Sequence, residues 1–518
     1  MSLTPSPHVT PPAVRLLPQD EHNVRLLANV HPADWRNPAP RNPYNLVVLG
    51  GGTAGLVSAM GAASLGARVA LVEQHLMGGD CLNYGCVPSK GLIRCATARA
   101  DVQHADDYGI RLGSTPDVDF SAVMERMRRL RAEISHTDSV HRYTATGVDV
   151  FLGAGRFTGP RTLEVAGTTL HFAKAVIATG GRATGLPIPG LEESGYFTNE
   201  TVFTLTARPP RLGVIGAGPI GCELAQTFQR LGSQVILLEV AAHVLPREDP
   251  DAAEIVQNAL WRDGVRTLLA VKLEAVSKRH EAKILRYVDA QGKHEEVTVD
   301  ALLLSVGRAP NVDDLGLEAA GVAFDPRLGV QVDDRLRTTN PRIFAAGDVC
   351  SRYQFTHAAD FLARTVLANA LFLGRQKASA LVIPWCTYTD PQVAHVGITA
   401  QQGAADGIAL DTFVQPLAEV DRALLDGETE GFAKVHVRQG TDTILGATVV
   451  ARNAGDMIGI YTTAMTHGLG LGALAKVIQP YPTQAEVVRK TADRYNRTRL
   501  TPRVKKLMAA WLRWQRKR

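Results

Sequence analysis

The sequence is short of cysteine and of long apolar runs. Six of its 518 residues are cysteine, too few for a disulfide scaffold, and no zinc-ligand spacing occurs, so no resident metal is predicted. No apolar stretch is long enough to predict a transmembrane helix. Residues 1–20 lack a charged start followed by an apolar core, which argues against a secretory signal. These absences favour a cytoplasmic protein, and the length predicts about three domains.

The two ends of the chain differ in composition from the rest. Residues 1–43 are rich in proline and show little periodicity, so we expect an extended arm that Trp35 attaches to the surface. Residues 499–518 carry eight Lys or Arg and no acid, and removing these eight charges takes the formal net charge from +5 to −3. Apolar residues recur there at helical spacing: Val504, Leu507, Met508, Trp511 and Leu512. The pattern predicts a basic amphipathic helix, either on an anionic membrane surface or packed on a second copy of the chain.

A strand–turn–helix–strand pattern occurs twice. Its glycines are Gly50, Gly52 and Gly55 in the first copy and Gly216, Gly218 and Gly221 in the second. Each second strand ends in an acid, Glu73 or Glu239, which follows the first glycine by 23 positions. The glycines let a pyrophosphate approach the helix N-terminus, and the acid accepts hydrogen bonds from a ribose. One such motif is a weak signal, but two in the same frame indicate two dinucleotide sites.

Two dinucleotide folds in one chain predict a flavin and a nicotinamide in contact. Glu239 can accept a hydrogen bond from the 2′-hydroxyl of NADH and would repel the 2′-phosphate of NADPH. Arg247 lies close enough in sequence to keep NADPH as the alternative. We therefore predict NADH as the electron donor.

Two cysteines lie five positions apart, downstream of the first glycine-rich turn. Cys81 and Cys86 would face different sides of a continuous helix, so bonding their sulfurs should distort it and make the disulfide easier to reduce. A helix beginning near Pro88 would direct its positive end at Cys86, and Lys90 adds a cation; both favour a thiolate. The pattern predicts a redox-active pair, with two inert buried cysteines as the alternative.

With these motifs the sequence resembles the pyridine nucleotide–disulfide oxidoreductases, the family of dihydrolipoamide dehydrogenase, glutathione reductase and mercuric reductase. The resemblance covers about residues 44–497 and also rests on residues 178–181, 305–311 and 339–348, which read Ala-Thr-Gly-Gly, Ser-Val-Gly-Arg-Ala-Pro-Asn and Thr-Asn-Pro-Arg-Ile-Phe-Ala-Ala-Gly-Asp. It implies an α/β fold with two Rossmann-like dinucleotide-binding domains, for FAD and NAD(P), and a C-terminal α+β dimerisation domain.

The resemblance also implies domain boundaries. The expected segments are an N-terminal arm (1–43), an FAD-binding domain with the cysteine pair (44–185), an NAD(P)-binding domain (186–305), a return to the FAD domain (306–380), a dimerisation domain (381–497) and a basic tail (498–518). A homodimer would complete each active site with residues of both subunits. No nucleic-acid partner is predicted.

Roles for individual residues follow from the same resemblance. Besides the glycines and acids of both turns, the implied cofactor-binding residues are Lys90, Thr179, Gly180, Glu223, Gly307 and Asp348. Asp348 would bind the ribityl chain of FAD, and Lys90 would lie near the flavin ring and pair with Glu223. Cys86 would be the flavin-proximal sulfur and Cys81 the sulfur that meets the substrate.

The chain departs from the family's disulfide reductases near its C-terminus. Those enzymes carry His-Pro with a Glu four positions later, whereas this chain has Tyr481 in place of the His and retains Glu486. Tyrosine, with an ordinary pKa near 10, is a poor base for thiol exchange at neutral pH. Mercuric reductase is similar in having Tyr here, and residues 384–391 and 421–423 are also similar to that branch. We therefore expect Tyr481 and Glu486 in a catalytic site where Hg(II), or a related soft metal ion, binds the two cysteines.

Three functions are compatible with these patterns. The leading one is an FAD-dependent enzyme that passes electrons from NAD(P)H through Cys81 and Cys86 to a thiol-reactive acceptor, as mercuric reductase does. The second is a dihydrolipoamide dehydrogenase or another disulfide reductase, and the third is a flavin-based redox sensor. The sequence shows neither a C-terminal cysteine pair nor an N-terminal cysteine for metal capture. Hg(II) is therefore not expected to be the only or the physiological substrate.

Overall fold

The computed structural model describes residues 14–114 and 116–518. The helices in these ranges are α1 (Glu21–Val30), α2 (Thr53–Ser64), α3 (Gly79–Asn83), α4 (Cys86–Gln103), α5 (Phe120–Ile134), α6 (Val140–Ala145), α7 (Leu191–Ser194), α8 (Pro219–Arg230), α9 (Pro250–Arg262), α10 (Thr356–Leu371), α11 (Ala400–Ala405), α12 (Asp421–Asp426), α13 (Ala454–Thr466), α14 (Leu471–Leu474), α15 (Glu486–Thr498) and α16 (Pro502–Gln515).

The strands are β1 (Tyr44–Leu49), β2 (Val69–Glu73), β3 (Val148–Leu152), β4 (Gly155–Gly159), β5 (Thr162–Val165), β6 (Thr168–Ile177), β7 (Gly181–Ala183), β8 (Arg211–Ile215), β9 (Gln234–Leu238), β10 (Arg266–Leu268), β11 (Lys272–Arg279), β12 (Ala282–Val288), β13 (His294–Val299), β14 (Ala301–Leu304), β15 (Arg308–Pro310), β16 (Phe324–Asp325), β17 (Gly329–Val330), β18 (Ile343–Ala345), β19 (Pro384–Thr387), β20 (Gln392–Gly397), β21 (Leu410–Pro416), β22 (Phe432–Arg438) and β23 (Ile444–Ala451). The chain divides into two compact units: the first extends to Gly216 and adds Thr227–Leu238 and Val271–Leu381, and the second holds Ala217–Gln226, Glu239–Ala270 and Val382–Arg518.

The first unit is built on parallel strands. β3, β2, β1, β6 and β18 pair in this order as a parallel sheet, which β5 and β4 extend in antiparallel fashion. Strand β1 is apolar and almost wholly buried, as expected for a parallel sheet covered on both faces. A second parallel set places β8 between β9 and β14. The repeated strand–turn–helix–strand pattern is thus confirmed, because β1–α2–β2 and β8–α8–β9 follow the predicted segments closely.

Small residues let helix α2 lie close to its neighbours. Gly55, Ala59 and Ala62 of α2 are buried, and a Cβ atom added at Gly61 would come within 2.5 Å of the Leu367 side chain on α10. Helix α2, which the sequence predicts between the first glycine-rich turn and β2, therefore packs closely against α10 because its contacting residues are small.

The N-terminal segment differs from the expectation. An extended arm was expected over residues 1–43, but residues 21–30 form helix α1, whose side chains Leu26 and Val30 are fully buried in the core of the first unit. Asp20 caps this helix by accepting a hydrogen bond from the backbone N–H of Asn23 at 2.8 Å. The few apolar residues of this segment thus suffice for a helix because the rest of the unit buries them. Trp35 packs on the same core, as predicted.

The second unit contains an antiparallel sheet with helices packed on it. Its strand order is β19, β20, β23, β22 and β21, and every neighbouring pair is antiparallel. Helices α13 and α15 bury Tyr461 and Val487 in the core of this unit. This is the expected α+β domain, and the α/β fold class predicted from the sequence is confirmed. The domain boundaries given above stay predictions.

Candidate redox and dinucleotide-binding site

The two cysteines lie on separate helices. Cys81 is in the short helix α3, which ends at Asn83, and Cys86 is the first residue of the long helix α4. Helix α4 is the new helix predicted near Pro88, and residues 84–85 separate it from α3. The helix begins two residues before the predicted start at Pro88, so its N-terminal positive end lies at Cys86 itself.

The structure brings the two sulfurs together as thiols. Cys81 and Cys86 share a side-chain hydrogen bond, and the Cys86 Sγ lies 3.5 Å from the Thr356 Oγ1. The hydrogen bond with Cys86 is the main cause of a raised pKa for Cys81, and burial adds to it. Cys86 is exposed in the polypeptide and Cys81 is half-buried. Of the pair, Cys81 is therefore the one that holds its proton, and it can share that proton with a Cys86 thiolate.

The first glycine-rich turn is held tightly by its acid. The two carboxylate oxygens of Glu73 accept hydrogen bonds from the backbone N–H groups of Gly51 and His75, both at 2.6 Å. A Cβ atom at Gly50 would come within 2.3 Å of a backbone oxygen, and one at Gly55 within 1.8 Å of the Gly50 oxygen. Helix α2 has no side-chain cap at Gly52, so its first N–H groups are not taken by a side chain. These features fit a pyrophosphate at the helix N-terminus.

The second turn repeats this arrangement. Glu239 accepts hydrogen bonds from the backbone N–H groups of Ala217 at 2.6 Å and Ala241 at 2.9 Å. The first glycine, Gly216, has a φ of +98° and would place a Cβ atom within 2.6 Å of the Ser305 oxygen. Because each acid binds the amide directly after the first glycine, the sequence repeat is also a structural repeat. Gly218 and Gly221 belong to this turn and to the start of helix α8.

Asp348 is part of a half-buried charge network. Its Oδ2 lies 3.5 Å from the Arg308 Nε, and the same guanidinium lies 3.4 Å from the Asp80 Oδ2 and donates a 2.7 Å hydrogen bond to the Gly181 oxygen. Burial raises the pKa of Asp348 to about 6, although Arg308 acts in the opposite direction. Asp80 precedes Cys81 directly, so this network joins the predicted ribityl-binding acid to the cysteine segment.

Two of the motifs on which the family resemblance rests, residues 178–181 and 305–311, form hydrogen bonds with each other. Thr179 donates a hydrogen bond to the Asn311 oxygen at 2.7 Å, and the Asn311 amide donates to the Thr179 oxygen at 2.9 Å. The backbone N–H of Asn311 also donates to the Gly180 oxygen at 2.9 Å. Strand β15, which follows Gly307, pairs with β7. Thr179 and Gly180 therefore position the segment that carries Arg308, and their predicted direct contact with a cofactor stays a prediction.

Lys90 and Glu223 are the predicted ion pair, and each has a defined position in its own helix. Lys90 lies in the second turn of helix α4 and is half-buried. Glu223 is buried in helix α8, and its carboxylate accepts a hydrogen bond from the Tyr388 backbone N–H at 2.9 Å. The ion pair between the two stays a prediction.

Tyr481 and Glu486 lie in the second unit and have different partners. The Tyr481 hydroxyl donates a hydrogen bond to the Asp421 Oδ2 at 3.0 Å, which raises the pKa of the phenol. Glu486 is buried and accepts a 2.7 Å hydrogen bond from Arg489. Tyr481 remains 70% exposed in the single chain, so it is available to a ligand or a second subunit. The raised pKa makes the phenolate form of Tyr481 scarcer at neutral pH, so this residue is even less available as a proton acceptor.

Three residues with close contacts in these sites were missed by the sequence reasoning. Arg308 lies in a recognised motif and Asp421 in the segment similar to mercuric reductase, but the sequence gives neither a role. Thr356 belongs to no recognised motif. Thr356 is the first residue of helix α10, eight positions after Asp348. Asp421 begins helix α12 within the segment that resembles mercuric reductase. Membership of a recognised motif is therefore the available signal for Arg308 and Asp421, and proximity to Asp348 is the signal for Thr356.

Comparison with protein families gives two matches. The model described as "Pyridine nucleotide-disulphide oxidoreductase" matches residues 44–361, and its "dimerisation domain" matches residues 383–492. Residues before 44 lie outside both matches.

Individual relatives are similar over most of the chain. A mercuric reductase of Bacillus cereus is 36% identical over 443 residues, which is 86% of this chain and 70% of the relative. A dihydrolipoyl dehydrogenase of Cupriavidus necator is 33% identical over 463 residues, 87% of this chain and 97% of the relative. Among solved structures, the Cu(II) complex of the HOCl-induced flavoprotein disulfide reductase RclA from Escherichia coli has a TM-score of 0.77 and 30% identity, covering 86% of this chain and 98% of that one.

Proposed function

The chain belongs to the pyridine nucleotide–disulphide oxidoreductases, and from this premise we propose that it passes electrons from NADH through Cys81 and Cys86 to a soft metal ion such as Hg(II). Members of this family are FAD-binding and NAD(P)H-dependent oxidoreductases. The observation that carries the proposal is the thiol pair formed by Cys81 of helix α3 and Cys86 at the start of helix α4, with Tyr481 in place of a base in the second unit.

The residues of the first unit fit FAD. Gly50, Gly52 and Gly55 would accept its pyrophosphate, Glu73 its adenosine ribose and Asp348 its ribityl chain. The tight backbone contacts at Gly50 and Gly55 leave no space for side chains in this turn. When bound, FAD supplies the two-electron exchange between a nicotinamide and a disulfide.

The chain's own residues supply the metal-binding chemistry. The disulfide takes up two electrons and two protons to give the thiols of Cys81 and Cys86. A soft cation is bound when both thiols lose their protons and their sulfurs coordinate it, as thiolates favour soft metals. Thr356 orients the Cys86 sulfur. Reduction of Hg(II) to the metal takes two electrons, so NADH and Hg(II) give NAD⁺, the metal and one proton.

Two comparisons favour a metal ion as the acceptor. The Bacillus cereus relative is a mercuric reductase. The similar Escherichia coli reductase is described as a Cu(II) complex, so a protein similar to this chain binds a transition metal ion. The Tyr481 hydroxyl, already oriented by Asp421, would add an oxygen ligand or a hydrogen bond near the bound ion.

The choice of NADH rests on Glu239. Both carboxylate oxygens of Glu239 are engaged by backbone N–H groups, which keeps the acid at the end of β9 and turned toward the glycine-rich turn. In this position a 2′-phosphate would meet a negative charge, whereas a 2′-hydroxyl can donate to it.

One assay tests the whole proposal. Full-length protein with bound FAD is reduced anaerobically by NADH or NADPH and then offered Hg(II), Cu(II), lipoamide or a low-molecular-weight disulfide. We expect the highest kcat/KM with NADH and turnover with a soft metal ion. Brisk reduction of lipoamide without any response to Hg(II) or Cu(II) would establish a disulfide reductase instead, and turnover below a few per second with every acceptor would favour a redox sensor.

Replacing Tyr481 separates the metal and disulfide branches. Tyr481→Phe should reduce Hg(II)-dependent NADH oxidation about tenfold, because it removes one hydroxyl that hydrogen-bonds to a carboxylate. Tyr481→His should instead raise lipoamide turnover, since it restores a base with a pKa near neutrality. Steady-state kinetics with both acceptors measures each effect.

The matched control for this prediction is Tyr388→Phe. Tyr388 lies in the same unit, and its backbone rather than its hydroxyl binds Glu223. Its metal reductase activity should stay within twofold of the wild type. Equal losses in the two Phe variants would show that Tyr481 has no specific role.

The dimerisation domain indicates a homodimer. We propose that the exposed Tyr481 of one subunit approaches the cysteines of the other, so that each active site contains residues of both. We place the enzyme in the cytoplasm, as expected from its sequence.

We also propose that residues 499–518 attach the enzyme to an anionic membrane surface. Helix α16 forms as predicted, with Thr501 as its cap, and none of its residues is buried. The ring centroids of Trp511 and Trp514 lie 4.9 Å apart, and the side chains of Leu507 and Leu512 are more than half exposed. Eight cations without an acid complement anionic headgroups, and Trp residues favour the interface. In the part of the chain that the structure describes, no helix combines the length and apolarity needed to cross a bilayer.

Vesicle sedimentation tests this attachment. The full-length protein should pellet with phosphatidylglycerol vesicles but not with phosphatidylcholine vesicles. The test variant replaces three tail cations, Lys505, Lys506 and Arg513, by Gln. Its vesicle binding should be about a hundredfold weaker, because each cation contributes about 1 kcal/mol near an anionic surface. Replacing the exposed Lys272 and Arg327 by Gln is the control and should leave it unchanged. Binding that survives removal of residues 499–518, or loss of the dimer on their removal, would contradict the proposal.

A further inference from the structure

Helix α3, which carries Cys81, has little internal support. It contains five residues, beginning at Gly79 with a φ of +57°, and is preceded by Gly78 with a φ of +88°. A helix of this length closes very few backbone hydrogen bonds, so its position depends on contacts with other segments. These contacts lie at both of its ends.

At its C-terminal end, the helix is held by a buried chain of hydrogen bonds. Arg131 of helix α5, which is 3% exposed, donates to the Asn83 backbone oxygen at 2.8 Å and to the Asn23 Oδ1 at 2.6 Å. Asn23 is itself buried in helix α1 and donates to the Pro18 oxygen at 2.8 Å. The side chain of Asn83 donates back to the Met77 and Gly79 oxygens, at 3.1 and 2.8 Å.

The N-terminal end is held by the same segment of the chain. The Met77 backbone N–H donates to the Val30 oxygen at 3.2 Å, at the end of helix α1. The His31 ring forms a hydrogen bond with the His75 oxygen. Residues 18–31 therefore contact the chain on both sides of the Cys81 helix, either directly or through Arg131.

We propose that Asn23 and Arg131 are positioning residues for Cys81, through which helix α1 stabilises the dithiol form of the Cys81–Cys86 pair. The hydrogen bond between the two thiols requires α3 and α4 to be held in place across the break at residues 84–85. Contacts that stabilise a reduced pair make the disulfide a stronger oxidant. This inference rests on the proposed redox role of the pair, and the segment that contains Asn23 lies before the matched family region.

The test measures the reduction equilibrium of the pair in the full-length protein. Wild type and variants are equilibrated with mixtures of reduced and oxidised glutathione or dithiothreitol, and the free thiols are trapped with a maleimide and counted by mass. Asn23→Leu and Arg131→Met should each make the disulfide about tenfold harder to reduce, a change of about −30 mV for this two-electron couple. Asn23→Asp, which keeps an acceptor for Arg131, should stay near the wild type.

Two matched controls lie on the same helices. Asn29→Leu removes a hydrogen bond from helix α1 to Ser135, and Arg128→Met removes the ion pair of helix α5 with Asp20. Both variants should lower the midpoint temperature of thermal unfolding without changing the thiol–disulfide equilibrium of Cys81 and Cys86.

The outcomes separate this inference from the proposed function. A wild type in which these two thiols do not form a disulfide under oxidising conditions contradicts the redox role itself. A wild type that forms the disulfide, with Asn23→Leu at the wild-type equilibrium or with both controls shifted equally, overturns the positioning role alone. If Arg131→Met fails to fold, the milder Asn23→Leu and Asn23→Asp pair still decides the question.

Discussion

Replacing either Cys81 or Cys86 with serine is expected to reduce Hg(II)-dependent NADH oxidation to background. A serine hydroxyl ionises far less readily than a thiol and is a hard ligand, so it neither forms a disulfide nor binds a soft metal. Anaerobic reduction of the bound flavin by NADH should persist in both variants, because it precedes the thiol step. Stopped-flow absorbance of the flavin and steady-state NADH consumption measure the two steps separately.

The control for the cysteine variants is Cys95→Ser. Cys95 lies on the same helix α4 and is partly buried, with Arg126 3.7 Å from its sulfur. Its substitution should leave acceptor turnover within a factor of two of the wild type. Retained metal reduction in Cys86→Ser or Cys81→Ser would mean that electrons reach the acceptor directly, and the dithiol would have no catalytic role.

Glu248→Gln is expected to stabilise the second unit by about 2–3 kcal/mol at pH 8 and to have no effect at pH 4. Burial raises the pKa of Glu248 to about 7, and the negative charge of Asp249 adds to the shift, while the Trp385 indole N–H opposes it through a 2.7 Å hydrogen bond. Gln keeps an oxygen acceptor for Trp385 and removes the buried charge.

The sign of this pH dependence follows from the linkage between proton binding and folding. A carboxyl whose pKa is higher in the folded than in the unfolded chain binds its proton more tightly when folded, so stability falls as pH rises from about 4.5 to about 7. Above that range the full cost of the buried charge is present, and below it the cost disappears. Thermal unfolding followed by tryptophan fluorescence between pH 4 and pH 8 gives the difference between variant and wild type.

The neighbouring Asp249 provides a control of opposite sign. Burial acts to raise its pKa, but the nearby His436 ring and the Lys434 ammonium, 3.8 and 2.8 Å from the Asp249 Oδ2, outweigh burial and hold the pKa of Asp249 well below its usual range. Asp249→Asn should therefore destabilise the unit at neutral pH, because it leaves Lys434 without its buried partner. If both substitutions change the midpoint in the same direction at pH 8, the charge argument for Glu248 fails.

Sequence reasoning was weakest where an element depends on distant partners. Helix α1 was expected to be an extended arm, since its own residues give only a weak apolar pattern; it is helical because Leu26 and Val30 fill a core formed by residues far along the chain. The sequence predicts a new helix near Pro88, and helix α4 begins two residues earlier, at Cys86. The break at residues 84–85 is compatible with the sequence, but contacts outside the segment hold its two sides.

The sequence by itself determined both dinucleotide-binding turns and the cysteine pair, because their chemistry is local. Each turn closes on an acid 22 positions from the amide it binds, and the two thiols are separated by four residues, so spacing alone predicts the contact. Only the tertiary structure decided which residues support these sites. Arg131 reaches Asn83 across 48 positions and Tyr481 reaches Asp421 across 60. No periodicity connects such partners, and their contact arises only when packing brings separate helices together.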